Sequence, residues 1–364
     1  MKRVTLWIDA ITPNPSGIGR YAWQLAKGLS SREDLEVRFF GRNRIIDDPT
    51  LLLRNAPFPR RQNALRRWWD RRALKASLVH GPNYFLPSFA ETGVITIHDL
   101  SVFRYHETHP ADRVLAFERE FDRSLARAAH VITDTETVRA ELIDSFSLRP
   151  DQVTAVPLGV DPSFRPHAAH LLEPTLRNWG LQQGQYGLCV STLEPRKKIS
   201  ELLAAWRRLP RATRDAYPLV LCGGAGWRNE ALQRQVEDGV AEGWLRHLGF
   251  VPEAMLPALY AGAAMFIYPS IYEGFVLPPL EALASGVPVM VSGRSCLPEV
   301  CGDAARYLDP DDGQGFTAAI ERNLADAEWR ADSLQRGVDR ARQFSWGRCI
   351  DGTVAIYRHV ASAL

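Results

Sequence analysis

The chain has 364 residues, a length that predicts roughly two domains at about 150 residues each. Hydrophobic residues make up 46% of the chain and charged residues 24%, values that exclude a wholly disordered protein. The formal net charge of +2 argues against nucleic acid as a partner. No apolar run reaches the length of about 18 residues that predicts a transmembrane helix. The apolar run after Lys2-Arg3 ends at Asp9, too short for a signal-peptide core, so we expect a cytoplasmic protein.

The five cysteines argue against a fold that is held together by disulfide bonds or a structural metal ion. Their number is odd and none of them forms a C-x-x-C pair, which speaks against a disulfide framework and a structural zinc site. We expect them to be small buried residues in a reducing compartment. They are Cys189, Cys222, Cys296, Cys301 and Cys349.

Strand-like and helical patterns alternate along the first half of the chain. Residues 4–8 form a short apolar run, and Tyr21, Leu25 and Leu29 then recur at helical spacing. Further strand-like runs lie at 35–40, 78–80, 94–97, 130–133 and, as the last strand with its exit, 156–162. This alternation predicts βαβ units around a parallel sheet.

A connector that contains Pro and His, at about 162–180, precedes a second alternation. Strand-like runs lie at 186–191, 218–222, 245–250, 264–268 and 287–291, with helices at about 199–208, 228–242, 253–262 and 278–285. We predict an α/β protein of two Rossmann-like domains, residues 1–165 and 175–345, that face each other across a cleft. Ligands of such sheets bind at the carboxyl ends of the strands.

The segment Tyr268–Gly286 carries the strongest chemical pattern in the chain. It contains a strand end, a loop with Glu273, and a helix that starts at Pro278 or Pro279 with Glu281 in its first turn. The N–H groups at a helix start bind anions. Two carboxylates would repel a phosphate there unless they bind hydroxyls, which a nucleotide sugar offers on both sides of its diphosphate. The alternative is an acid favoured by the helix dipole beside a solvated loop acid.

The segment Ser191–Lys198 carries a second pattern at a strand end. The forked guanidinium of Arg196 and the ammonium of Lys197 suit a diphosphate. The alternative is an ordinary basic loop that leads into a helix.

Together these segments resemble the signature of retaining glycosyltransferases of family 4, which have the GT-B fold. The resemblance rests on Glu273 and Glu281 with seven residues between them, and on the phosphate-binding loop Thr192–Lys197, after which Lys198 stands where Asn is frequent. Further matches lie at 16–21, 80–84, 96–100 and 156–161, so they cover essentially the whole chain. The pattern is similar to bacterial mannosyl- and rhamnosyltransferases that build O-polysaccharide from GDP-sugars.

The resemblance implies a role for each matching residue. Glu281 would hold the ribose hydroxyls of the nucleotide, Glu273 the hydroxyls of the donor sugar, and Arg196 and Lys197 the diphosphate. His98 would lie under the donor sugar, where its backbone carbonyl and ring stabilise developing positive charge. The other donor-binding positions that it implies are Gly17, Gly19, Phe250, Val251, Gly274, Phe275, Val276 and Leu277. The acceptor-binding positions that it implies are Tyr21, His80, Asn83, Tyr84 and Asp99.

The resemblance also implies an architecture and a reaction. The domain of residues 1–165 would bind the acceptor, residues 175–345 the donor, and a C-terminal helix at 346–364 would pack back on the first domain. We expect transfer, with retained configuration, of mannose or D-rhamnose from a GDP-sugar to a lipid-linked oligosaccharide, with no cofactor and no metal. Two alternatives stay open: another GT-B enzyme, such as a hydrolysing epimerase, and a non-catalytic nucleotide-sugar binder.

Three competing patterns are weaker. Residues 17–22 fit G-x-G-x-x-A, but they lie about eight residues beyond the first strand, and no acid follows the second strand, which disfavours NAD binding. Asp309 and Asp311 have metal-binding D-x-D spacing, yet a turn with a helix-capping acid is favoured there. His106–His109 has no accompanying ligand cluster, and we interpret it as a surface loop.

The segment Arg54–Lys75 interleaves eight basic residues with Trp68 and Trp69. This composition suits the headgroup layer of an anionic membrane and predicts a peripheral association with the inner face of the cytoplasmic membrane. The alternative is an amphipathic helix whose Trp pair packs inside the domain.

Overall fold

The computed structural model describes residues 3–363 except 16, 55–69, 71, 73, 75–76, 107–110 and 225–229. The chain divides into two compact units. The first contains the residues up to Gly159 and those from Ser345 onward, and the second runs from Val160 to Phe344. Each unit is built around its own sheet.

The first unit is an α/β sandwich. Its elements before the division are β1 (Arg3–Trp7), α1 (Gly17–Ser30), β2 (Glu36–Gly41), β3 (Arg44–Ile46), β4 (Leu78–Gly81), β5 (Gly93–Ile97), α2 (Ser101–Arg104), α3 (Ala111–Leu125), β6 (Ala128–Thr133), α4 (Glu136–Phe146) and β7 (Val153–Ala155), with 3-10 turns at Pro49–Leu53 and Pro150–Gln152. In its described part, seven strands lie in the order β3-β2-β1-β4-β5-β6-β7, parallel except for the pair β2 and β3. Tyr21, Leu25 and Leu29 are buried on one face of α1, as their spacing predicts.

The second unit repeats this plan. Its elements are α5 (Ala169–Arg177), β8 (Gly187–Val190), α6 (Ile199–Arg207), α7 (Arg211–Ala216), β9 (Leu219–Cys222), α8 (Glu230–Ala241), β10 (Leu245–Gly249), α9 (Leu256–Gly262), β11 (Met265–Tyr268), α10 (Leu277–Ala284), β12 (Val289–Ser292), α11 (Leu297–Cys301), β13 (Ala305–Leu308), α12 (Gly313–Ala325) and α13 (Ala327–Ala341), with 3-10 turns at Pro195–Lys197, Glu253–Met255 and Gly302–Ala304. Among the described residues, six parallel strands lie in the order β10-β9-β8-β11-β12-β13. Strands β11 and β12 are buried throughout, as continuous apolar runs in parallel sheets are.

The C-terminal helix α14 (Trp346–Ala363) belongs to the first unit. It packs so closely on α1 that a Cβ added to Gly28 would lie 2.0 Å from Cδ1 of Ile350. The hydroxyl of Tyr357 lies 2.6 Å from Nδ1 of His80, and both side chains are buried. The last helix is therefore part of the core of the first unit.

The structure differs from the sequence prediction around the boundary between the units. Residues 156–162 were expected to hold the last strand, but that strand is β7 at Val153–Ala155, and the apolar residues after it cover α14 instead. A Cβ added to Gly159 would lie 2.0 Å from the backbone nitrogen of Trp346, so the chain needs glycine at this crossing. The expected connector at 162–180 contains the helix α5 despite its internal Pro174.

All five cysteines are buried and unpaired, as the sequence predicts. Among the described helices, none combines the length and the apolar character needed to span a membrane.

Candidate active site

The strand order of the second unit brings two predicted segments together. Strand β11 lies between β8 and β12, so the loops that follow these three strands emerge side by side at one edge of the sheet. The loop after β8 carries Arg196 and Lys197, and the loop after β11 carries Glu273. These residues form a buried charge cluster.

Glu273 is the centre of this buried charge cluster. Its Oε1 accepts hydrogen bonds from Nζ of Lys197 and from the hydroxyl of Tyr268, the latter over 2.9 Å. Its Oε2 accepts from the guanidinium of Arg196 over 3.1 Å. Nζ of Lys197 also donates to the Tyr268 hydroxyl over 3.1 Å. The side chains predicted for the diphosphate and for the donor sugar therefore contact each other directly.

The cluster keeps the carboxylate ionised in spite of its burial. Burial alone raises the pKa of Glu273, but the charges of Lys197 and Arg196 and the hydrogen bond from Lys197 outweigh that effect and lower the pKa to about 2. The site thus presents one fixed negative and two fixed positive charges in a region that largely excludes water, where electrostatic interactions are strong.

The backbone of Glu273 is held by a residue that the sequence analysis missed. Oγ of Ser295, in the loop after β12, accepts from the Glu273 N–H over 3.2 Å and donates to its carbonyl over 2.7 Å. Ser295 has the left-handed backbone angle φ +56°. Residues with a strained backbone that hydrogen-bond to a site loop are typical of functional regions. The adjacency of β11 and β12 was the available signal, because both strands were predicted.

The start of α10 offers fewer backbone donors than its pattern suggested. Pro278 and Pro279 have no N–H, so the amides available at this helix start belong to Phe275, Val276 and Leu277. They follow Gly274, as the predicted donor-binding stretch requires. Glu281 follows in the same helix and is only 2% exposed.

The loop after β10 presents an exposed aromatic ring. Phe250 is 65% exposed whereas the adjacent Val251 is buried. Gly249 has φ +61°, and its carbonyl accepts from the Gly223 N–H over 2.8 Å, which ties the loop to the end of β9. The main chain of this predicted donor-binding loop is therefore tied to the end of β9, and Phe250 presents its ring at the surface.

Basic side chains form salt bridges with both carboxylates of the competing D-x-D pair. The guanidinium of Arg294 lies 2.7 Å from carboxylates of both Asp309 and Asp311, and Nζ of Lys198 lies 2.8 Å from Asp311. The helix-capping acid expected here is the next residue, Asp312, whose side chain accepts from the N–H of Gly315. Within the described ranges, no group of three His, Cys, Asp or Glu residues could hold a metal ion.

In the first unit, His98 lies where the sequence predicted, directly after β5. Its Nδ1 lies 2.7 Å from Oδ2 of Asp134, which follows β6, and its Nε2 lies 2.9 Å from the carbonyl oxygen of Pro82, which follows β4. Strands β4, β5 and β6 are neighbours in the sheet, and this explains the meeting of the three loops. Asp134 was not among the predicted site residues.

The structure corrects the prediction that His80 and Tyr21 bind the acceptor. Both side chains are fully buried, and the Thr96 hydroxyl lies 2.9 Å from Nε2 of His80 and 2.9 Å from the Tyr21 hydroxyl. With Nδ1 bound to Tyr357, both nitrogens of His80 are engaged. These residues satisfy each other's hydrogen bonds inside the core of the first unit, although the resemblance implied that they bind the acceptor.

Asn83 and Asp99 are half-buried in the first unit, whereas Tyr84 is only 7% exposed and packs in its core. Tyr84 has φ +62°, a strained conformation for a bulky residue, and its hydroxyl donates to Oδ1 of Asp99 over 3.1 Å. The same carboxylate accepts from the N–H and hydroxyl of Ser101 at the start of α2. Asp99 thus organises its own loop, and Asn83 is half-buried beside it.

The two glycines predicted to contact the donor differ. A Cβ at Gly17 would meet no atom within 4 Å, so space for a ligand exists there. A Cβ at Gly19 would approach the carbonyl oxygen of Ala10 to 2.9 Å, so this glycine lets the first turn of α1 pack against the loop after β1. Most of the basic segment 54–75, including both tryptophans, and residues 107–109 lie outside the described residues.

Two family models match the chain. Glycosyltransferase Family 4 matches residues 15–164, and Glycosyl transferases group 1 matches residues 179–341. The chain is 39% identical to the O-antigen chain mannosyltransferase B of Escherichia coli, over 94% of this chain and 96% of that one.

Solved structures show the same fold at lower identity. Sucrose-phosphate synthase from Thermosynechococcus elongatus superposes with a TM-score of 0.77 at 22% identity over all of both chains. WaaG, a glycosyltransferase involved in lipopolysaccharide biosynthesis, superposes with a TM-score of 0.74 at 16% identity over 97% of this chain and 99% of that one. The chain belongs to glycosyltransferase family 4 and has the two-domain GT-B fold.

Proposed function

We propose that this glycosyltransferase transfers mannose, or the related D-rhamnose, from a GDP-sugar to a hydroxyl of a lipid-linked oligosaccharide in O-polysaccharide synthesis, with retained α configuration. The mannosyltransferase named above supports the sugar class and the pathway. The observation that carries the chemistry is the buried charge cluster, in which Glu273 faces Arg196 and Lys197.

The cluster supplies what departure of a nucleoside diphosphate requires. Arg196 and Lys197 are cations held in place before the reaction, so they stabilise the negative charge that develops on the leaving group. Glu273 lies between them and stabilises the positive charge that develops on the sugar ring. The bond between the sugar and the diphosphate breaks, the departing diphosphate takes the proton of the acceptor hydroxyl, and the acceptor oxygen bonds to the sugar on the face from which the diphosphate leaves. No protein nucleophile is needed in this scheme.

The same arrangement supports transfer without a metal ion. Two cations already face the position proposed for the diphosphate, and Asp309 and Asp311 are engaged by Arg294 and Lys198. We expect full activity in excess EDTA. Loss of activity in EDTA that magnesium or manganese restores would contradict this part of the proposal.

Donor identity is tested by thermal denaturation and product analysis. GDP and GDP-mannose should raise Tm more than UDP, ADP and their sugars, because a ligand that binds only the folded state stabilises it by mass action. Incubation with donor and a lipid-linked acceptor should give an α-linked product by NMR. Turnover of the donor with water alone would instead indicate a hydrolysing enzyme, and binding without turnover a nucleotide-sugar binder.

Glu281 is proposed to hold the ribose in both the ground state and the transition state. Glu281→Ala should therefore raise KM for the donor and lower the affinity for free GDP to a similar extent, while kcat changes little. Glu281→Gln is the control that keeps the shape of the side chain. Normal GDP binding by the Ala variant would remove the ribose assignment.

The segment 54–75 is proposed to hold the enzyme on the inner face of the cytoplasmic membrane. Vesicles with anionic lipid should retain the protein at low salt and release it at high salt. Replacement of Arg66, Arg67, Trp68 and Trp69 should abolish retention. If that variant binds vesicles as well as the wild type does, the segment serves the packing of its own domain.

A further inference from the structure

The ring of His98 is engaged at both nitrogens by groups that accept hydrogen bonds. Nε2 faces the carbonyl oxygen of Pro82, which can only accept, so Nε2 carries a proton. Nδ1 faces a carboxylate oxygen of Asp134. A proton must also lie between Nδ1 and this oxygen, so the pair of His98 and Asp134 is neutral as a unit, and an imidazolium beside a carboxylate satisfies both contacts. Burial raises the pKa of the Asp134 carboxyl above its ordinary value, in spite of the opposing charge and hydrogen bond of His98.

Asp134 is held in this position at a cost to stability. It is only 2% exposed, and none of the described residues hydrogen-bonds its second oxygen, Oδ1. A buried carboxylate with one oxygen unsatisfied is costly. A hydrophobic residue or an amide would serve the core better if packing were its only task, so the carboxylate serves His98.

We propose that Asp134 is a positioning residue for glycosyl transfer, which fixes the His98 ring in a doubly protonated form so that His98 presents its main-chain carbonyl to the donor sugar. This inference rests on the site proposed for His98 under the donor. The ring itself then neither accepts nor delivers a proton during the reaction. Under this proposal the main-chain carbonyl of His98, and not its ring, stabilises the positive charge that develops on the sugar.

The surroundings of His98 support a constant charge on its ring. The Tyr21 ring lies edge-on at 5.0 Å and the Tyr84 ring at 5.8 Å, while Asp99 adds a second negative charge nearby. His80 is neutral, because burial lowers its pKa to about 3. Burial alone lowers the pKa of His98 too, but the charge and hydrogen bond of Asp134, with the Pro82 carbonyl and Asp99, outweigh it and raise the pKa above its ordinary value.

The neutrality of the pair matters for the chemistry. An isolated imidazolium beside the sugar would oppose the positive charge that develops on the ring of the donor. The carboxylate of Asp134 cancels that charge, and two hydrogen bonds prevent rotation of the imidazole. The carbonyl of His98 is thereby held in one orientation by a ring anchored to the loops after β4 and β6.

The protonation of His98 can be measured without turnover. In the full-length protein labelled with ¹⁵N-histidine, His98→Gln identifies the His98 signals. We expect two protonated ring nitrogens in the wild type near neutral pH, and a single one in Asp134→Asn, because burial, the largest effect on the pKa of His98, then outweighs the remaining Pro82 carbonyl and Asp99. A wild-type ring with one protonated nitrogen, or an unchanged ring in Asp134→Asn, overturns the inference.

Kinetics test the link to transfer. Asp134→Asn should lower kcat about 10–100-fold, as the loss of an orienting partner does, and leave KM for the donor within about twofold. The loss of kcat in Asp134→Asn should become smaller as the pH falls and the His98 ring regains its proton. The wild type should not show this pH dependence. Unchanged kcat, or a deficit independent of pH, counts against the proposal.

Thr154→Val is the matched control. The Thr154 hydroxyl lies 2.9 Å from Nε2 of His130, so this variant also takes a hydrogen-bond partner from a buried histidine of the same sheet. It should keep the wild-type kcat and pH profile. If Asp134→Asn does not fold, His98→Gln combined with Asp134→Asn removes the charge mismatch, and it should fold and show the same loss of kcat.

The outcomes separate this inference from the proposed function. If the wild type transfers no sugar, the proposed function fails, while the NMR experiment still decides the state of the His98 ring. If the wild type transfers sugar and Asp134→Asn behaves like Thr154→Val, the inference fails and the proposed function stands.

Discussion

Lys197 and Lys198 are neighbours in the chain and belong to two different charge clusters. The Lys197 side chain is 8% exposed and binds Glu273 in the buried charge cluster. The Lys198 side chain is 20% exposed and binds Glu201 and Asp311, the latter 47% exposed, at the surface. The chain separates them with a turn, because Lys198 has the left-handed angles φ 54° and ψ 34° at the start of α6.

The two clusters differ in how far their side chains are exposed to water. Exposed ion pairs contribute about 0–1 kcal/mol each, because water and salt screen them. Removal of one partner from a buried pair costs about 3–5 kcal/mol, since the other charge is left without compensation. The same lack of water makes the buried charge cluster effective on a transition state. Residue type alone does not distinguish the two clusters, and burial does.

The largest effect is expected for Glu273→Gln. It should lower kcat about 10²–10³-fold, as the loss of a charge-stabilising group does. GDP, which has no sugar, should bind at least as tightly, because Arg196 and Lys197 are no longer neutralised. Glu201→Gln, at the surface cluster, is the control and should keep kcat. Loss of GDP binding in Glu273→Gln together with normal turnover would reverse the assignment.

The second-largest effect is expected in the dependence of stability on acid pH. The pKa of Glu273 is about 2 in the folded protein and near its ordinary value of about 4.5 when unfolded. A depressed folded pKa contributes stability above the unfolded pKa, and this contribution, of roughly 3 kcal/mol, is lost as the pH falls from about 4.5 towards 2. Urea denaturation at pH 7 and pH 3 should therefore show a smaller loss of stability in Glu273→Gln than in the wild type. Equal losses would show that the cluster does not hold the carboxylate ionised.

A moderate effect is expected for Tyr268→Phe. The hydroxyl bonds both Glu273 and Lys197, and a hydrogen bond to a charged group contributes about 1.5–3 kcal/mol. We expect kcat to fall roughly tenfold, with little change in donor KM. Tyr186→Phe, which removes a buried hydroxyl bound to the Leu259 carbonyl, is the control for stability and should leave kcat unchanged. Equal kinetics in both variants would exclude Tyr268 from the function of the cluster.

The smallest effect is expected for Lys198→Asn. Asn adopts the left-handed conformation more readily than Lys, and this relief offsets the loss of two exposed ion pairs. The free energy of unfolding should change by less than about 1 kcal/mol, and kcat should stay within about twofold. Lys197→Gln in the same assays should lose both stability and kcat. Similar effects of the two lysine variants would contradict the contrast between the clusters.

The sequence predicted the fold and the centre of the second unit because these depend on local patterns. Alternating strands and helices predict parallel sheets, and Glu273, Arg196 and Lys197 lie in loops that follow strands. Tyr268 and Ser295 escaped prediction because their roles depend on which strands are neighbours and, for Ser295, on a left-handed turn after β12.

The acceptor residues of the first unit were harder to predict. His80 lies in β4 and Tyr21 in α1, and polar residues at such positions occur both in binding sites and in cores where they satisfy each other's hydrogen bonds. The hydrogen bond of His80 to Tyr357 spans 277 positions, which no local pattern contains. Asp134 could have been predicted, because it directly follows β6 and His98 directly follows β5, and both strands were predicted.

The position of α14 has a consequence for synthesis on the ribosome. The second unit is one continuous segment, but the first needs Tyr357 and Ile350 from the last helix to cover His80 and Gly28. The 277 residues between His80 and Tyr357 take roughly 10–60 s to translate at about 5–20 residues per second. The N-terminal sheet therefore emerges before the second unit and gains its covering helix after it, with one apolar flank open to chaperones until α14 has emerged.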